Sequence, residues 1–137
     1  MYIDNLLTIC TSQDLGDSQA PGTVLSENSV DLGAAKDLSK GKPLYVVITV
    51  EESFVGNTSV AFQVITDSVA TLADTPTVHV STPAIAVGSL TAGREPIVLP
   101  IANPLSVSEQ YLGIQFVIVG GTGTAGIVSA HIGFDAP

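Results

Sequence analysis

Positive charge is nearly missing from this chain. Its 137 residues include only Lys36, Lys40, Lys42 and Arg94 against thirteen acids, a formal net charge of −9. DNA and RNA binding needs Lys and Arg to neutralise phosphates and release counterions, so no nucleic-acid partner is expected. An anionic membrane surface would repel the chain for the same reason. Cysteine is almost absent too: Cys10 stands alone. That excludes an internal disulfide and a cysteine-built zinc site, and Cys10 is expected to be a small buried hydrophobe. There is no Trp, which weakens a sugar-binding surface built on stacking aromatics. No run approaches the roughly 20 apolar residues needed to span a bilayer. Asp4 stands where a signal peptide would carry basic residues, and the apolar stretch after it is short. The chain is therefore expected to be made and folded in a cytosol.

What the chain does have is apolar content, 45% of its residues against 12% charged. So few charges cannot cover all the apolar surface left after folding, so self-association or a larger assembly is expected. Most apolar stretches are short, β-branched and bounded by Gly, Pro, Asn or Asp. Strands are expected at 24–32, 44–50, 60–66, 77–81, 85–90, 97–101, 111–119 and 127–134. Their number and frequent turns predict an all-β fold, a jelly-roll-like antiparallel β-sandwich of about eight strands. Alternation sets the faces: Leu112, Ile114, Phe116 and Ile118 share one, as do Val128, Ala130, Ile132 and Phe134. Val60, Phe62 and Val64 are expected to oppose Ala61, Gln63 and Ile65. Single helical turns are conceivable at 34–38 and 68–73, each too short to stand alone. Residues 1–22 read as an N-terminal arm, with at most one short strand, followed by a loop. Residues 23–137 read as one sandwich domain.

Little in the chain suggests chemistry. Gly121-Thr122-Gly123-Thr124-Ala125-Gly126 matches G-x-G-x-x-G after a strand, but a dinucleotide site needs a helix to follow. Here Ile127-Val128-Ser129-Ala130-His131-Ile132 alternates like a strand, so the glycines are expected to serve a hairpin connection. His79 and His131 have no third metal ligand near them in sequence and read as surface or pocket-rim residues. Glu51 and Glu52 would point to opposite faces of an extended chain, so they are not a paired acid and base. Asp14-Leu15-Gly16-Asp17 lacks calcium-loop spacing. Asn57-Thr58-Ser59 is a formal glycosylation sequon that reads as a turn. No catalytic residue, cofactor or metal site is expected.

Several segments, in order, resemble one family. Met1-Tyr2-Ile3-Asp4-Asn5, Ser29-Val30-Asp31-Leu32-Gly33, Pro43-Leu44-Tyr45-Val46-Val47, Leu90-Thr91-Ala92-Gly93-Arg94, and Tyr111-Leu112-Gly113 with Gly123-Thr124-Ala125-Gly126 resemble capsid cement (decoration) proteins of tailed phages, of the Bbp16 type. The resemblance implies a jelly roll on the outer surface of an icosahedral head, made in the host cytoplasm. It would bind itself and bridge neighbouring major capsid protein subunits. A dimer is the first expectation and a trimer the second. Contacts are expected from the arm, through Tyr2, Ile3, Leu6 and Leu7, and from Glu51 and Glu52 toward basic capsid patches. Another virion structural role, in a head fibre or tail, a carbohydrate-binding module, and a small jelly-roll enzyme or ion-binding protein are the alternatives.

Overall fold

The computed structural model describes residues 8–15, 22–31, 44–74, 76–101 and 111–133. Its strands are β1 (Thr8–Asp14), β2 (Gly22–Leu25), β3 (Val30–Asp31), β4 (Leu44–Val55), β5 (Ser59–Asp67), β6 (Thr77–Ser81), β7 (Ile85–Ala86), β8 (Ile97–Ile101), β9 (Tyr111–Val119) and β10 (Ala125–Gly133). One sheet runs β1-β10-β4-β8; the other runs β2-β9-β5-β6, with β3 also on β9 and β7 also on β5. All pairings are antiparallel.

The ten strands occupy eight positions. β2 pairs with the second half of β9 and β3 with its first two residues, so together they form one interrupted edge strand. β6 and β7 share the other edge in the same way, alongside β5. Pro83, which cannot donate to a ladder, lies in the second interruption. Beside it, Thr82 Oγ1 accepts from Phe62 N at 3.0 Å. Two sheets of four positions each, with almost every connection crossing between them, make the jelly roll expected from the sequence.

Alternation builds the core. Leu112, Ile114, Phe116 and Ile118 of β9 are buried, as are Val128, Ala130 and Ile132 of β10. They meet Val46, Ile48 and Val50 of β4 and Val60, Phe62 and Val64 of β5. Several elements differ from expectation for physical reasons. β4 runs five residues past Val50 because two bulges absorb its polar stretch. Strict alternation from Val50 would send Glu52 inward. The first bulge turns Glu52 out, and the second returns Phe54 to the core.

Ile65, expected on the outer face, is fully buried. Gly113 is its partner on β9, and Leu72 from the 68–74 loop lies directly over that glycine. The loop is a turn rather than a helix. Asp67 accepts from Ser68 N at 2.6 Å and from Asp74 N at 2.9 Å, while Ser29 Oγ donates to Ala70 O at 2.8 Å. The connection from β9 to β10 is not a hairpin, since β9 and β10 lie in different sheets. Gly120 takes a positive φ there, 98°, and Gly126, inside β10, has φ 149°. The expected strand at 85–90 shortens to two residues and becomes a 3-10 turn over Val87–Ser89. The possible helical turn at 34–38 and Phe134 lie outside the described residues.

Candidate functional site

Of the stretch read as arm and loop, residues 8–15 belong to the sandwich. β1 is the edge strand beside β10, and Ile9, Cys10 and Leu15 enter the core. Two register shifts and the positive φ of Ser12, 47°, bend it. Such bulges blunt an edge against stray pairing. A polar seam blunts it further by joining β1 to the edge of the opposite sheet. Thr11 N donates to Glu27 Oε1 at 2.8 Å, and Glu27 N to Gln13 Oε1 at 2.9 Å. Gln13 Nε2 donates to Leu25 O at 3.0 Å, and Asn28 N to Ile9 O at 3.1 Å.

On the outer face of this sheet, where β1, β10 and β4 lie side by side, is a groove of about 380 Å3. Thr8, Thr11, Thr49, Glu51, Ser129 and His131 line it, over the buried Cys10 and Ala130. Among the described residues Glu51 is its one carboxylate. Its bulge position lifts it off the regular ladder, and two serine hydroxyls hold it. Ser12 Oγ donates to Oε2 at 2.7 Å and Ser129 Oγ to Oε1 at 2.8 Å. Ser129 Oγ in turn accepts from Ser12 N at 2.9 Å, so the cluster ties the three strands together. Partial burial holds the His131 imidazole below its ordinary value of 6.5, which favours the neutral ring near pH 7.

Cys10 is inert in this setting. Burial first, then the Glu27 and Glu51 carboxylates, push its thiol up to about 12. Its Sγ donates weakly to Val128 O at 3.9 Å. A thiol-specific chromophoric reagent at pH 8 should therefore leave the native chain unlabelled and label one thiol in denaturant. Rapid labelling of the native protein would contradict this burial.

The structure separates the remaining sequence candidates. Glu51 and Glu52 are both exposed, with Glu52 Oε1 accepting from Gly126 N at 3.3 Å. Tyr2, Ile3, Leu6 and Leu7 lie outside the described residues, as do Gly16 and Asp17. His79, half-buried, sits with Nε2 2.7 Å from Thr66 Oγ1. The sequon's Asn57 is buried and spends its Nδ2 on Gly121 O at 2.7 Å, an arrangement closed to glycosylation of the folded chain. Among the described residues no three His, Cys, Asp or Glu side chains gather as metal ligands. Sequence reasoning picked Glu51 but missed its companions, because Ser12, Thr49 and Ser129 are unremarkable until three strands bring them together.

No curated protein matches the chain. A protein-family model does, over residues 15–132, which span the jelly roll from the end of β1 into β10. On that match the chain belongs to the Bbp16 family.

Proposed function

We propose that this chain is a capsid cement protein. It binds the outer surface of a phage icosahedral head, bridges neighbouring major capsid subunits and stabilises the expanded shell. It does so without catalysis or cofactor. The observation that carries this reading is the Bbp16 match laid along a jelly roll, in a chain whose apolar content and scarce charge favour assembly. The mechanism is mass action. A ligand that binds only the expanded state stabilises it by RT ln(1 + [L]/Kd), about 2.7 kcal/mol per site at a hundredfold excess over Kd. Many equivalent sites on one shell multiply the effect against the pressure of packaged DNA.

In this proposal the chain associates with itself, first as a dimer, and the arm residues Tyr2, Ile3, Leu6 and Leu7 reach a neighbouring subunit. Deleting residues 1–7 leaves β1 in place and should weaken both self-association and head binding. Unchanged association would remove the arm from the interface. The test of the function itself is sedimentation of the purified chain with isolated heads. It should pellet with expanded heads and stay in solution with precursor shells. Equal recovery with both, or with neither, would overturn the cement reading.

A further inference from the structure

We infer that the groove on the outer face of the β1-β10-β4-β8 sheet is a receptor for an arginine side chain of a basic protein partner. Four features of the site support this.

The groove is built and concave. Its volume of about 380 Å3 lies within the range of small-ligand sites and takes one long side chain. The Glu51 carboxylate is positioned in advance, each oxygen held by a serine hydroxyl from a different strand. A carboxylate oxygen that accepts one hydrogen bond keeps a second lone pair, so both remain able to receive a planar guanidinium. Little side-chain entropy is left to lose on binding, which is what usually cancels the gain from an exposed ion pair.

The local charge is negative and has no basic counterpart in the groove. Glu27 and Glu51 both bear electrostatically on Cys10 beneath it, and Glu52 is next in sequence. Among the described residues no Lys or Arg lines the groove. Arg94, in the loop between β7 and β8, donates instead to Ser89 O at 2.8 Å and Glu95 O at 3.2 Å. The rim hydroxyls of Thr11 and Thr49 can accept the guanidinium N–H groups that the carboxylate does not take. Among the described residues no aromatic side chain lines the groove, which disfavours a sugar as occupant.

The inference rests on the cement reading only for the partner's identity, and its test can be run without a capsid. The 15N-labelled full chain is titrated with the peptide acetyl-Gly-Arg-Gly-amide, and with the same peptide carrying citrulline, arginine's uncharged isostere. The arginine peptide should shift the amides of Thr8, Thr49, Glu51, Ser129 and His131, and the citrulline peptide should not. Glu51→Gln, which keeps the side chain's shape, should weaken binding roughly fivefold, the scale of an exposed charged pair. Thr49→Arg, which supplies a guanidinium from within, should also suppress it. Equal shifts with the citrulline peptide or with a neutral monosaccharide would overturn the inference. So would shifts scattered over distant acids such as Asp74 and Glu95. The capsid arm is separable. Wild-type affinity of Glu51→Gln for expanded heads would take the groove out of the capsid contact and leave the cement reading standing. Failure of the wild-type chain to bind heads would remove the cement reading and leave the titration to decide the groove.

Discussion

Phe116→Ala is expected to destabilise the domain by about 3–5 kcal/mol, the range for truncating a buried Phe. Phe116 and Phe62 are fully buried cross-strand partners at the centre of the β2-β9-β5-β6 sheet. Their rings meet edge to face, with centroids 5.7 Å apart and planes at 87°. That geometry places the positive ring edge against the negative face and adds about 0.5–1.5 kcal/mol beyond area burial. Truncation leaves a void in a core cluster shared with Ile114, Ile118, Val60 and Val64, the next inward residues on the two strands, whose paired backbones collapse little. Because whole domains are stable by only about 5–15 kcal/mol, one such change threatens folding. Urea titration should show a large fall in midpoint with an unchanged slope. The double variant with Phe62→Ala should lose less than the sum of the singles, because the two rings contact each other. A loss below about 1 kcal/mol would mean this pair is not at the centre of the core.

Gly120→Ala is the second large effect, about 2–5 kcal/mol, and its cause is the backbone rather than lost packing. Gly120 has φ 98°, where a side chain costs about 1–2 kcal/mol. An added Cβ would also fall on the Thr58 side chain and lie 2.5 Å from Thr58 N. That nitrogen cannot retreat, because it donates to Val119 O at 2.7 Å and so ties the β4–β5 turn to the end of β9. Overpacking of this kind adds about 1–3 kcal/mol. Gly88→Ala is the control. It sits in the 3-10 turn, has no positive φ, and an added Cβ would meet nothing within 4 Å. There the substitution should be neutral or stabilising by up to about 1 kcal/mol, since alanine restricts the unfolded chain. Thermal unfolding of both variants separates the two cases, and matching midpoints would refute the clash. The same end of the sandwich exposes Val55 and Val119, at 52% and 50%.

Much of the architecture was legible because strand periodicity is local. The expected strands at 77–81, 97–101 and 111–119 coincide with β6, β8 and β9. The inward faces of β9 and β10 follow from alternation alone. Legibility ended wherever a residue's environment came from elsewhere in the chain. Ile65 looked outward-facing because nothing in its own strand announces that Leu72 will fold over Gly113 beside it. The polar residues Thr11, Ser12 and Gln13 looked like loop, yet their partners Glu27, Ser129 and Glu51 hold them in an edge strand. Glu52 looked like one half of an alternating pair until bulges altered the count.

The candidate site divides along the same line. Glu51 could be picked from sequence as an acid in a chain nearly without bases. Its fixed orientation could not, because Ser12 and Ser129 lie 39 and 78 residues away and meet it only through the β1-β10-β4 order. By itself, the sequence determined an all-β, acidic and apolar domain, since composition and two-residue alternation act locally on a strand. Only the tertiary structure decided which strands became neighbours and that β9 and β10 part into different sheets. It alone collected scattered hydroxyls around one carboxylate, because strand pairing is a long-range choice made by the burial of both sheets at once.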